Sequence, residues 1–181
     1  MSRNLLSLAI ATLMLGATGC TSYSISTDYS PQADFSNYRT FGFMPGRTLL
    51  VATTQPVSPL ILENLKYATR QALEAKMLRH TDDPEQADFV ISFTLGSRDK
   101  ISVTSYPTAY RGSWGWGGVY HQNVDVRDYT EGMLAIDVFD VKGRQPVWHG
   151  VAKKNIQASD RGNRELLNEI VAAILAEFPP G

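Results

Sequence analysis

"ADFVISFTL", residues 87–95, decides the fold. Phe89, Ile91, Phe93 and Leu95 alternate with Val90, Ser92 and Thr94. A period of two, with the bulkiest apolar residues in one phase, is a β-strand with one face against a core. Asp82-Asp83-Pro84 just before it is a turn. Before the turn the period changes: Ile61, Leu65, Ala68, Ala72 and Ala75 recur at helical spacing, with Glu63, Lys66, Arg70 and Glu74 on the opposite side. Ser58 as N-cap and Pro59 at the first helical position open this helix, which is expected to run to about Leu78. Its alanine-rich stripe lets it approach a sheet closely.

Working outward toward the N-terminus, Arg47 to Pro56 has no clear period, and Tyr38 to Met44 reads as a strand closed by Pro45-Gly46. In Thr21 to Tyr29, "TSYSISTDY", Tyr23, Ile25, Thr27 and Tyr29 alternate with serines and Asp28, which is a further half-buried strand. Toward the C-terminus, Ile101 to Tyr106 reads as a hairpin partner of the central strand. The stretch Tyr106 to Asn123, "YPTAYRGSWGWGGVYHQN", is rich in glycine and aromatics and has no period. Pattern returns at Val124, with a strand over Gly132 to Val141, a hairpin turn at Val141-Lys142-Gly143-Arg144 and a partner strand over Val147 to Lys153. Arg164 to Phe178 is a second amphipathic helix, striped by Leu167, Ile170, Ile174 and Phe178, with Leu166 and Val171 beside them. Hairpins imply antiparallel pairing, and two helices with one apolar face each must cover a sheet. The expected fold is an α+β two-layer sandwich, a mostly antiparallel sheet with both amphipathic helices on one face.

The N-terminus carries an address. Arg3 is the one charge before an apolar stretch over Leu5 to Leu15, followed by small residues and then Cys20, the single cysteine. A positive start, an apolar core of about ten residues and small residues at the end make a secretory signal. A membrane-spanning helix needs roughly 20 apolar residues. Ala17-Thr18-Gly19-Cys20 resembles the recognition site of the bacterial lipoprotein signal peptidase, with Ala17 where leucine is usual. On that reading residues 1–19 are removed, and Cys20 takes a diacylglyceryl group and further acyl chains such as palmitate. The alternative is an ordinary secretory cleavage that leaves a free exported thiol. Thr21 follows Cys20, and the absence of aspartate there resembles the outer-membrane default of such proteins. The expected address is therefore the outer membrane, lipid-anchored and facing the periplasm.

Residues 20–181 then form a single periplasmic domain. Losing Arg3 with the signal takes the formal charge from −1 to −2. A chain this close to neutral offers no electrostatic footprint for nucleic acid. A hydrophobic content of 43% suffices for a core and argues against global disorder.

Asp28 to Phe43, "DYSPQADFSNYRTFGF", resembles the opening signature of the bacterial lipoprotein family that carries the domain of unknown function 4136. Two later phrases agree with it: the Ala87 to Ser92 strand, and Asp140 to Gly150 with Trp148. The resemblance spans essentially the whole mature chain. It implies an envelope lipoprotein with no assigned reaction, so it carries over no catalytic residue. Physics explains the opening signature: Phe35 and Tyr38 can pin a tight turn between strands, and Asp34 can cap its N–H groups.

Catalytic signals are weak. His80 is expected to end the first helix, His149 to point outward from a strand beside Trp148, and His121 to lie in the glycine-rich stretch. There is no G-x-S-x-G elbow and no cysteine nucleophile once Cys20 is acylated. Cys/His spacing for zinc is missing, as is a phosphate-cradling glycine loop. No catalytic residue, metal or cofactor is expected, and an enzyme is not the first expectation. The functional candidate is the aromatic stretch itself: Tyr106, Tyr110, Arg111, Trp114, Trp116, Tyr120 and His121. Tyr, Trp and Arg are the residues of interface hot spots. Three roles suit the stretch: a loop that binds an envelope protein, a contact with membrane or peptidoglycan, or aromatics folded back over the domain's own sheet. The rival class is a small ligand-binding or hydrolytic domain with a cleft at this loop, in which Asp125 or Glu131 would converge on His121.

Overall fold

The computed structural model describes residues 23–46, 48–52, 57–108, 121–160 and 162–180. The strands are β1 (Tyr23–Tyr29), β2 (Thr40–Phe43), β3 (Leu49–Ala52), β4 (Arg79–His80), β5 (Phe89–Thr108), β6 (His121–Asp140) and β7 (Gln145–Ile156). The helices are α1 (Ile61–Glu74) and α2 (Arg164–Ala176). The sheet order is β1-β7-β6-β5-β2-β4, with β3 also paired to β5. The β1–β7, β7–β6 and β6–β5 pairings are antiparallel, while β2 and β3 run parallel to β5 and β4 parallel to β2. This is the expected α+β sandwich, mostly antiparallel, with a short parallel flank.

The central strand behaves as its period predicts. Phe89, Ile91 and Phe93 are fully buried, Ile91 opposite Val138 and Phe93 opposite Ile136 of β6, and they pack with Leu65 and Leu73 of α1 and Val171, Ile174 and Leu175 of α2. Each such side chain contributes about 1.5–3 kcal/mol by leaving water. Gly150 on β7 lets α2 come close: a Cβ there would collide with the Trp148 ring and lie 2.6 Å from Ile174 Cγ2.

The three family phrases meet in one aromatic cluster. Phe35 sits edge-on to Tyr38 at 5.7 Å and to Phe178 at 5.9 Å, and Phe178 is edge-on to Trp148 at 5.3 Å. Asp34 caps the 3-10 turn Phe35–Asn37 as expected, accepting from Ser36 Oγ at 2.6 Å, from the Ser36 N–H at 3.0 Å and from Asn37 Nδ2 at 2.7 Å. These bonds hold its carboxyl below the usual range.

Several boundaries differ from the expectation. The aperiodic segment after Pro45 contains β3, whose four residues are too few to show a period. Helix α1 starts at Ile61, because Ser58 and Pro59 form a preceding turn in which Ser58 Oγ accepts from the Leu60 N–H at 3.2 Å. It ends at Glu74, so Ala75 lies outside it and is exposed. His80 is not at the helix end but in β4, beside Phe41 of β2. Ile101 to Tyr106 is not a hairpin partner of the central strand; it is the same strand continued.

Candidate functional site

β5 and β6 form one ladder of twenty pairs, from Phe89 opposite Asp140 to Thr108 opposite His121, with no shift of register. β7 leaves this ladder where Ile156 meets Thr130, and β3 leaves it where Ala52 meets Gly96. Beyond those points residues 100–108 and 121–129 pair only with each other among the described residues, a ribbon about 30 Å long at ~3.3 Å per residue. Tyr106 and His121, expected in an aperiodic loop, are strand residues; Tyr106 is opposite Asn123. Tyr110, Arg111, Trp114, Trp116, Tyr120 and Cys20 lie outside the described residues.

The chain enters the domain at the end from which the ribbon leaves. Tyr23 is opposite Lys154, and Lys154 is opposite Gly132. From Gly132 to His121 the ribbon climbs eleven positions, about 36 Å. Cys20 precedes Tyr23 by three residues, which span at most about 11 Å. The ribbon therefore reaches well past any point to which Cys20 can extend.

The histidines are kept apart. His149 Nδ1 lies 2.6 Å from Asp137 Oδ1 on the face away from the helices, and Ser92 is the next residue across, opposite Asp137. The order across the strands is Ser–Asp–His. Nucleophilic activation needs the histidine in the middle, and here Ser92 and His149 are two strand spacings apart, about 9–10 Å. His80 accepts at Nε2 from Arg70 Nη2 at 3.3 Å, and its Nδ1 is 3.6 Å from Asp82. Burial, then the Arg70 charge, hold its pKa below the usual imidazole value. Glu131 pairs with Arg98 at 2.9 Å and is ten positions from His121 along one strand, about 33 Å. The convergence of Glu131 on His121 that the rival ligand-binding or hydrolytic reading would use is therefore ruled out by the length of β6; Asp125 is four positions from His121 on the same strand. Among the described residues no group of three or more His, Cys, Asp or Glu could hold a metal.

A cleft of about 590 Å³ lies at the root of the ribbon, between the first turns of both helices and the sheet. Leu60, Ile61, Leu95, Leu134, Leu167 and Ile170 supply its apolar walls. At one end Lys154 Nζ donates to Asp160 Oδ2 at 2.7 Å, with both side chains largely buried. That bond, then one from the Gln157 N–H, hold the Asp160 carboxyl below its usual range. The sequence reading missed this cleft, because it exists only where two helix starts, distant in the chain, meet over the same strands. Its one advance signal was the pair of glycines, Gly96 and Gly132, which line its floor.

The sequence model of a family described as domain of unknown function (DUF4136) matches residues 25–180. A DUF4136 family protein from Bacteroides thetaiotaomicron is similar in structure, at 19% identity over 88% of this chain and 97% of that one, with a TM-score of 0.55. At that identity the likeness shows the fold alone. PelC from Paraburkholderia phytofirmans, crystallised as a dodecamer, is a weaker likeness at 13% identity over 85% and 95% of the two chains, with a TM-score of 0.49. No curated protein matches the chain.

Proposed function

We propose a role for this chain from one premise: it belongs to the DUF4136 family, whose domain has no assigned function. The chain is a lipid-anchored protein of the bacterial envelope. It is held through Cys20 on the periplasmic face of the outer membrane and acts without catalysis, as a binding or assembly module. The β5–β6 ribbon is its contact element.

The observation that carries this reading is that no third strand pairs with the ribbon among the described residues. An isolated two-stranded ribbon is marginal in water, and a third strand or a packed surface is needed to stabilise it. Nine pairs of this ladder have no third strand among the described residues. Their aromatic tip sequence, with Trp114 and Trp116, is of the kind that buries against a partner. The short tether favours the membrane side as the place of contact. A ribbon reaching about 25 Å past the anchor either meets an envelope component there or lies along the lipid headgroups, because Asp99, Lys100, Asp125, Arg127 and Asp128 make entry into hydrocarbon costly. Peptidoglycan is the other partner of suitable chemistry, through stacking of sugar rings on aromatics.

Cell fractionation tests the anchor. Cys20→Ala is expected to move the protein into the soluble periplasmic fraction, and a mutant still found with the outer membrane contradicts it. Trimming Arg111 to Gly118 tests the contact. Envelope components that co-purify after cross-linking should be lost while the melting temperature holds.

A further inference from the structure

The cleft at the ribbon root is used by neither the anchor nor the ribbon tip. We infer that it is a lipid site, taking one acyl chain of a membrane lipid with its anionic headgroup at the Lys154–Asp160 end. Size and shape favour an alkyl chain over a protein element. An α-helix about 10 Å across would fill 590 Å³ in roughly one and a half turns, too short to be recognised. The same volume lies inside the range of about 300–1,000 Å³ typical of small-molecule sites, and the walls follow their usual form, apolar with a few convergent polar groups. The cleft's charged groups are linked: Lys154 donates to Asp160 at 2.7 Å, and the Asn163 N–H donates to the Asp160 carbonyl at 3.2 Å, one residue before Arg164. Lys154 and Arg164 bring two positive charges against the one negative charge of Asp160, and Asn163 lies between Asp160 and Arg164 in the chain. The resulting polarity, an apolar trough with a net cationic end, matches an acyl chain with a phosphate or carboxylate head.

The source of the lipid follows from the pairing of Tyr23, three residues after Cys20, beside the cleft. Tyr23 is the strand partner of Lys154, so Cys20 is tethered within about 11 Å of Tyr23 and about 16 Å of Lys154, which lines the cleft. This step rests on the anchor reading; the chemistry of the cleft does not. With the anchor in a bilayer, the cleft opens beside its own ligand. Leu60, 64% exposed at the mouth, is the residue a lipid passing from bilayer to cleft would meet.

The test uses the mature chain carrying Cys20→Ala, in solution, titrated with cis-parinaric acid. Its result is independent of whether the native protein is lipidated. Saturable binding of one probe per chain is expected. Leu60→Glu and Leu166→Glu, both at partly exposed positions, should each weaken it by about tenfold or more by placing a charge against the chain, with unchanged melting curves. Arg164→Glu should weaken the acid while leaving the alcohol of the same chain unaffected. No saturable binding overturns the inference, as does binding that neither leucine variant alters. A probe-free dimer in sedimentation that buries the cleft also overturns it, since a second copy would then be the occupant.

Discussion

Thr40, the first residue of β2, and Asp88, the residue just before β5, hold each other. Asp88 Oδ2 accepts from the Thr40 N–H at 2.7 Å and from Thr40 Oγ1 at 2.8 Å, while the Asp88 N–H donates to the Thr40 carbonyl at 3.1 Å. A third donor, the Arg39 N–H, reaches the same oxygen at 2.8 Å. Two phrases of the family signature, one around Tyr38-Arg39-Thr40 and one at Ala87-Asp88-Phe89, are thus a single joint that sets the parallel register of β2 on β5. Burial alone would raise the Asp88 carboxyl. The bonds from Arg39 and Thr40 outweigh it and hold the pKa below the ordinary value.

Asp88→Ala leaves two N–H groups and a hydroxyl without their acceptor. The expected loss is about 1–3 kcal/mol, read from urea unfolding at neutral pH. Because the native pKa is depressed, the wild-type advantage is present above the unfolded value of 3.8 and disappears as pH falls below it. A variant as stable as wild type at pH 7 contradicts the joint.

Met77 stands in the left-handed region, φ 67, where helix α1 ends. The Leu78 N–H returns to the Leu73 carbonyl at 3.1 Å and the Met77 N–H to Glu74 at 2.9 Å, which is a Schellman ending with a side chain where glycine is usual. Met77 is 86% exposed, so its removal costs little packing. Met77→Gly is expected to stabilise by about 1 kcal/mol, raising the melting temperature by roughly 2–4 °C.

His80 is held neutral, with burial and Arg70 opposing the proton and Asp82 and Glu74 favouring it less strongly. Its native pKa lies below the unfolded 6.5, so its contribution is complete above pH 6.5 and declines as pH falls below it. Thermal melts between pH 7.5 and 5 should show wild type losing stability in this window while His80→Gln loses less. Parallel curves for the two proteins would exclude the role. Asp34, Asp88 and Asp160 do not confuse the test, since their contributions fall off only below 3.8.

Gly150→Ala places a methyl group against Trp148 and Ile174. Neither can retreat from a packed core, and overpacking of this kind costs about 1–3 kcal/mol. Calorimetry should show a lowered melting temperature without loss of the folded state. An unchanged melt would mean α2 sits further from β7 than described.

The legible part of this fold was the part that packs. Phe89, Ile91 and Phe93, the Leu167–Ile174 stripe and the turn at Val141 to Arg144 announce themselves because burial on one face imposes a period. The stretch Tyr106 to Asn123 shows no period, although Tyr106 to Thr108 and His121 to Asn123 pair as regularly as the core. Helix α1 was drawn four residues too long because its stop is Met77, a residue that gives no stop signal. β4 was missed because two residues cannot show alternation, and His80 went with it. Of the candidate site, composition marked the aromatic stretch between the two ribbon strands. The cleft was invisible, being a product of tertiary placement.

The central claim is that the ribbon is the contact element, and in-cell photo-crosslinking tests it most directly. A photoreactive residue is placed at Tyr106 or Val126 on the ribbon, and as a control at Ser26 on β1. The account predicts adducts with an envelope component or lipid from the ribbon positions and none from Ser26. Silent ribbon positions, or the same adducts from all three, would contradict it.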